Sequence, residues 1–466
     1  MVTENFSAIK AEIESTLVRQ KEFFQSGATL DIGFRKKQLI ALKKAIVNNM
    51  SQIYEALYKD LQKSEFEAYS TEIGFVLEEI GYAIKRLRSW TKPVKVHTPL
   101  TCFAGKSFYM YQPYGTVLII APWNYPFQLL FAPLVGAIAA GNTVVLKSSP
   151  YVPNVSQVMK NIIEQTFETK YIAYFEGHRD VNQALLEQSF DMIFFTGSPS
   201  TGKIVMEYAA KHLTPVVLEL GGKSPTIVDS DAKIRLAAKS IVWGKLINAG
   251  QTCIAPDYLL VHSAVKNELL EKMKYFIEKF YTSEQNKVNY YPKIVNEQNV
   301  DRLYSYLKCG KIYYGGIIDR SNRYFQPTIL TDVDPECSVM QEEIFGPIFP
   351  VIEFSDLEQV VKLINSKPKP LAFYYFGRNK HRINYLLSRT TSGGMSVNDT
   401  LMHFVNPHLP FGGVGNSGMG RYHGWFSFKA FSNIRSVYKK SLWIDLPVRY
   451  LPPKKWKLNT VKKLLK

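Results

Sequence analysis

Three short stretches of this 466-residue chain carry residue types that do chemistry. Gly250-Gln251-Thr252-Cys253 places one of four cysteines in a turn of small and polar residues, where backbone N–H groups can serve a reacting carbonyl. A nucleophilic thiol needs a route to the thiolate and donors for the oxyanion that follows. Taken alone, a single cysteine is more often buried filler, so both readings of Cys253 stand. Leu218-Glu219-Leu220-Gly221-Gly222-Lys223 sets a carboxylate against glycines at a strand end. Partial desolvation would raise the Glu219 pKa toward neutrality and suit it to general-base work; the alternative is a solvated strand-end glutamate. Thr196-Gly197-Ser198-Pro199-Ser200-Thr201-Gly202 opens a helix, with Ser198 as N-cap and Pro199 in the first turn. Such a helix start lets backbone approach a pyrophosphate. The spacing of Gly197 and Gly202 is G-x-x-x-x-G rather than G-x-G-x-x-G, and a plain capped turn fits it equally well.

These residues need elements to hold them. Leu39, Leu42, Ile46, Met50, Ile53, Leu57 and Leu61 recur at helical spacing, which predicts a helical layer over the first hundred residues. From Gly115 onward short apolar runs alternate with helical stretches: Val117–Ile120, a helix over 127–140 ending at Gly141, Thr143–Leu146, Tyr171–Tyr174, Met192–Phe195 and Val216–Leu218. That alternation predicts a parallel sheet with right-handed crossovers. Ligands bind beyond the carboxyl ends of such strands, and the residues found there are Asn124, Lys147, Gly197-Ser198 and Glu219. A second α/β unit begins near Ser224 and continues through Thr226–Val228, Tyr258–Val261, Pro327–Leu330 and Phe349–Ile352 to about residue 405.

Composition bounds the remaining choices. The chain is 46% hydrophobic and 21% charged, an ordinary globular make-up that excludes disordered and collagen-like readings. Cys102, Cys253, Cys309 and Cys337 form no CxxC pair, which argues against a disulfide framework and offers no zinc spacing. No metal site is expected. Without a secretory signal at the start, a reducing cytoplasmic location is the default. The uncharged stretch from Ser107 to Leu146 is broken at Trp123–Gln128. Its apolar remainder is short of the roughly 20 residues a membrane-spanning helix needs.

Ala121-Pro122-Trp123-Asn124-Tyr125-Pro126, the Gly197–Gly202 turn, Glu219–Lys223, Gly250–Cys253, Glu342-Glu343-Ile344-Phe345-Gly346-Pro347 and Asn398-Asp399 occur in that order. With these six motifs, the chain from about residue 30 to 440 resembles the aldehyde dehydrogenase superfamily. Pro410–Gly420 followed by Arg421-Tyr422-His423-Gly424 points to its class 3, fatty-aldehyde branch of bacterial type. The resemblance implies a Rossmann-like NAD(P)-binding domain (1–92 and 114–221), a catalytic α/β domain (222–405) and a small β oligomerisation arm (93–113 and 425–441), followed by a basic tail (442–466). It implies that Cys253 attacks an aldehyde, that Asn124 and the Cys253 N–H stabilise the oxyanion, and that Glu219 activates water against the thioester. Gly197, Ser198 and Gly202 would meet the pyrophosphate, Lys147 the adenine ribose, Glu343 the nicotinamide ribose, and Phe345 the ring. The family commonly has an acidic residue where Pro150 stands, and its loss predicts that NADP is accepted along with NAD. Gly177-His178 replaces the usual Gly-Gly. His423 could face substrate or be structural. Tyr125, Trp243 and Phe404 tilt the substrate toward long or apolar aldehydes, polyenes included, and the branch implies a homodimer. Two rivals are acyl transfer to CoA, which retention of Glu219 disfavours, and a catalytically dead basic binding protein, which the intact Cys253, Glu219 and Asn124 set disfavours.

The net charge of +17 is concentrated in the tail: Lys439–Lys466 has nine basic residues and one acid, Asp445, interleaved with Trp443, Leu451, Trp456 and Leu458. That mixture suits the anionic inner face of a membrane, at about 1 kcal/mol per nearby charge. A tail folded over a partner subunit fits equally. Nucleic acid has no motif behind it.

Overall fold

The computed structural model describes residues 2–282 and 290–465. Its first sheet has six strands in the order Gly418–Met419, Val216–Leu220, Met192–Gly197, Thr116–Ile120, Thr143–Lys147 and Ile172–Phe175. The last five are parallel, with Val117 opposite both Val144 and Met192. Thr116–Ile120 is buried along its whole length, as an apolar run covered on both faces must be. Helices Val2–Gln25, Arg179–Leu186 and Pro199–Ala210 cover one face, with Leu17, Leu185 and Val205 in one cluster with the strand residue Leu118. Ile32–Asn48, Gly74–Trp90, Pro126–Ala140 and Pro153–Thr166 cover the other through Leu42, Ile80, Leu130 and Ile162. The strand order reverses at Thr116–Ile120, so the loops after it and its neighbours meet at a switch point.

Two details differ from the sequence pattern. The apolar period from Leu39 to Leu61 runs through two helices, Ile32–Asn48 and Met50–Leu61. Asn49 ends the first by turning its amide back onto the Ala45 carbonyl, 2.8 Å away, the local competition with helix bonding that asparagine favours. The second difference is a disulfide between Cys309 and Cys337, 28 residues apart. It joins the end of one helical segment to the residue before helix Ser338–Gln341, a proximity that only the fold creates. The apolar helix Pro126–Ala140 is wholly buried and ends at Gly141, whose φ of 98° is the left-handed cap that glycine provides. Among the described residues no helix is long and apolar enough to cross a membrane.

The second sheet has seven strands: Lys311–Tyr314, Thr328–Thr331, Ile348–Phe354, Tyr258–His262, Pro225–Val228, Ala372–Phe376 and Gly394–Val397, all parallel except the first. Val94–Val96, Gly105–Pro113 and Ser432–Lys440 form a separate antiparallel sheet. The helix Trp425–Ala430 before it sits on Pro126–Ala140, where Gly136 leaves room for Ser427 and Phe431. Beyond Lys440 the chain is largely exposed and ends in helix Lys455–Leu464.

Candidate active site

A cavity of about 1010 Å³ lies between the two sheets' loop ends. Its exposed rim includes Phe66, Tyr69, Trp243, Met402 and Val405, and its lining also includes buried Gln128, Thr196, Glu219 and Tyr422 and half-buried Cys253. Tyr125 and Phe404 line it as well.

Cys253 follows a short helical turn, Ile247–Gly250, in which Asn248 and Ala249 are left-handed at φ 52° and 51°. Asn124, in the loop after Thr116–Ile120, reaches this segment: its Nδ2 donates to the Gln251 carbonyl at 3.0 Å. The Asn124 carbonyl in turn accepts from Asn248 Nδ2 and from Lys63 Nζ, each at 2.8 Å. Lys63 and Glu72, both fully buried, pair at 2.6 Å. The second Glu72 oxygen accepts the N–H groups of Phe127 and Gln128 at the start of the buried helix. Tyr125 and Thr252 hydroxyls bond at 2.7 Å. Burial, with Glu343 and Glu219 adding to it, holds the Cys253 thiol well above its ordinary pKa.

Glu219 is only 3% exposed and neither of its carboxylate oxygens has a hydrogen-bond partner. The solvated alternative therefore fails. Burial pushes its pKa well up, opposed by Arg421. Gln128 Nε2 and Thr196 Oγ1, buried in the same cavity, are also unpartnered.

The remaining residues lie along the strand ends. Ser198 Oγ accepts the Thr201 N–H at 3.3 Å and caps helix Pro199–Ala210, with Gly197 before it and Gly202 packed on Leu220. Lys147 is buried and donates to the Ser148 carbonyl at 2.6 Å. Burial lowers its pKa to about 8, against Asp180 and Glu176, which raise it. Pro150 removes one acidic residue, yet the fold brings these two carboxylates to the same lysine. Glu343 has one buried oxygen without a partner, and a Cβ at Gly221 would collide with its carboxylate. Burial raises the Glu343 pKa to about 8, with Asp257 adding to it. Phe345, at φ 49°, puts its ring 5.4 Å from Trp123, edge on. Lys223 pairs with Asp257 and donates to the Glu342 carbonyl at 2.7 Å, which fixes the start of this loop.

His423 is fully buried, 3.4 Å from Glu79 and stacked on Tyr422, and is not among the residues lining the cavity. Lys63, Glu67, Glu72 and Gln128 carry the site and were not singled out by the sequence. The only signal for Lys63, Glu67 and Glu72 was a charged stretch before Gly74, which reads equally as a solvated helix face, and Gln128 had none.

The profile of the aldehyde dehydrogenase family matches residues 2–437. The 4,4'-diaponeurosporen-aldehyde dehydrogenase of Staphylococcus aureus is 47% identical over 97% of this chain and 99% of its own. The dimeric NADP-preferring aldehyde dehydrogenase of Rattus norvegicus is 43% identical over 93% of this chain and 95% of its own. The solved substrate-bound state of Staphylococcus aureus AldH superposes with a TM-score of 0.95 at 47% identity, covering 97% of this chain and 99% of that one.

Proposed function

The chain belongs to the aldehyde dehydrogenase family, and from that premise we propose which residues carry NAD(P)-dependent oxidation of an aldehyde to its acid, and which aldehydes enter. Cys253 Sγ adds to the aldehyde carbon. The thiol is protonated at rest; as the C–S bond forms its proton passes to the Glu219 carboxylate lining the same cavity, which releases it to solvent before hydrolysis. The alkoxide that results is held by the Cys253 N–H and by the second amide hydrogen of Asn124, the first being engaged on Gln251. A bound nicotinamide dinucleotide supplies the hydride acceptor that turns the thiohemiacetal into a thioester. Glu219 then takes a proton from water as the water oxygen attacks the thioester carbon. The C–S bond breaks, the acid leaves and Cys253 is restored.

A dinucleotide fits the residues present. The unpartnered Glu343 oxygen over Cβ-free Gly221 suits a ribose diol, and the capped helix start at Ser198 suits a pyrophosphate. Lys147, at the end of its strand, suits an adenine ribose with or without a 2′-phosphate. The observation that carries the whole assignment is that half-buried Cys253 and buried Glu219 line one cavity, with Asn124 tied to the turn before Cys253.

The substrate is a long apolar aldehyde, polyenes included. Phe66, Tyr69, Phe75, Trp243, Phe404 and Phe411 line the cavity that would take its tail, and one relative is named for 4,4'-diaponeurosporen-aldehyde. The test is NAD(P)H absorbance across short, long-chain and aromatic aldehydes, run beside Cys253→Ala. No absorbance change with any aldehyde defeats the substrate reading, and an active Cys253→Ala defeats the nucleophile.

Two further parts of the reading concern assembly. The chain forms a homodimer through the antiparallel arm, supported by exposed Val94, Val96, Ile434 and Tyr438; sedimentation equilibrium reads this directly. The enzyme is cytoplasmic and its tail rests on an anionic membrane, supported by Leu442 and Trp443 at 99% and 95% exposure among lysines. Flotation with anionic vesicles, before and after deletion beyond Pro453, checks it.

A further inference from the structure

Asn248, Ala249 and Gly250 are left-handed in succession, at φ 52°, 51° and 78°. This conformation is disfavoured for residues with a Cβ, for alanine more than for asparagine, so a turn of this kind persists only where its surroundings over-determine it. Gly250 is pressed on the Gly346 carbonyl, where a Cβ would collide. The Asn248 side chain is engaged on the Asn124 and Gln251 carbonyls, and Gln251 Nε2 returns to the Asn248 carbonyl at 3.0 Å. Ala249 has no polar side chain to contribute. What remains is the Asn248 backbone N–H, which donates at 2.7 Å to Glu67 Oε1 from the short helix Glu65–Ala68.

Glu67 belongs to a different layer from the turn it meets. It lines the substrate cavity beside Phe66 and Tyr69, in the chain segment that also carries Lys63 and Glu72. Lys63, Glu72, Tyr125, Tyr281 and Tyr291 are the charged and titratable groups that face it. We propose that Glu67 is a positioning residue, whose hydrogen bond to the Asn248 N–H holds the strained turn so that Cys253 stays in line with the Asn124 amide. The inference rests on Cys253 being the nucleophile.

The length of the side chain, more than its charge, then decides the outcome. Glu67→Asp keeps the charge and withdraws the carboxylate by one methylene. Glu67→Gln keeps the reach and the acceptor oxygen and removes the charge. The experiment measures iodoacetamide alkylation of Cys253 in the full-length protein, read by peptide mass spectrometry with Cys102 as internal control, alongside kcat and the KM for NAD. Misplacing a reacting group by about 1 Å costs on the order of a hundredfold. The expected result is a Cys253 alkylation rate and kcat lowered roughly tenfold to a hundredfold in Glu67→Asp, with Cys102 and the KM for NAD unchanged, and recovery of most of that loss in Glu67→Gln. Parent-like alkylation of Cys253 in Glu67→Asp would overturn the inference. So would a Glu67→Gln variant as slow as Glu67→Asp, since charge and not geometry would then be at work. Cys253→Ala run in parallel separates the two readings: residual turnover there removes the premise, whereas a dead Cys253→Ala beside a parent-like Glu67→Asp removes only the role of Glu67.

Discussion

With neither carboxylate oxygen hydrogen-bonded and almost no exposure, Glu219 favours its neutral form well above the ordinary carboxylate range. A general base works only when deprotonated, so a raised pKa makes turnover climb with pH until Glu219 has ionised, and then level off. The pH–rate profile of steady-state turnover should show that climb, and Glu219→Gln should flatten it and slow the first-turnover burst of NADH, since the same carboxylate takes the thiol proton. Asn124→Ala removes one oxyanion donor and should lower kcat on the order of 10²–10³-fold, read under saturating NAD. Lys147 gives a prediction of opposite sign. Its pKa of about 8 means the ammonium that would pair with a 2′-phosphate is lost as pH rises through 8. The KM for NADP should therefore rise relative to that for NAD between pH 7 and 9, and Lys147→Met should abolish that pH dependence. Cys253, Glu219 and Asn124 were legible because each follows a strand or sits in a turn of unusual composition. Lys63, Glu67 and Glu72 were not. Along the chain they are ordinary charges in and between helices, and only tertiary packing turns them inward toward Asn124 and its turn.

Among the elements, the buried Lys63–Glu72 pair links three pieces: the helix Met50–Leu61 that ends just before Lys63, the loop carrying Asn124, and the start of helix Pro126–Ala140. Removing one partner of a buried pair leaves the other charge uncompensated and typically costs about 3–5 kcal/mol. Lys63→Met should lower the unfolding free energy by about that amount, read by urea denaturation. If stability held while kcat fell, the pair would matter only for the loop. Five strands of the first sheet and four of the second were readable from short apolar runs, because burial on both faces leaves no polar alternation to confuse, whereas Lys311–Tyr314, Ala372–Phe376, Gly394–Val397 and Gly418–Met419 were not read. The helix break at Asn49 was not, since an unbroken apolar period passes straight through it. Nor was the Cys309–Cys337 bridge, because a spacing of 28 residues says nothing about proximity in space.

For the molecule as a whole, the cavity's aromatic lining sets the substrate scale. Each methylene buried there is worth about 0.8 kcal/mol, so kcat/KM should rise up to roughly fourfold per carbon along a series of straight-chain aldehydes until the cavity is filled. A flat series would place the tail outside it. Of the net charge of +17, +6 lies in the exposed segment after Lys440, a density well above that of the rest of the chain. Gly418–Met419 has a different consequence. It pairs antiparallel with Val216–Leu220, Gly418 opposite Glu219, so the first sheet is completed by residues some two hundred positions downstream of that strand. During synthesis, that edge stays open until Gly418–Met419 has left the ribosome. An unpaired edge is a template for wrong partners, so a nascent chain halted before residue 418 should be captured by chaperones, while one halted after Lys440 should escape them.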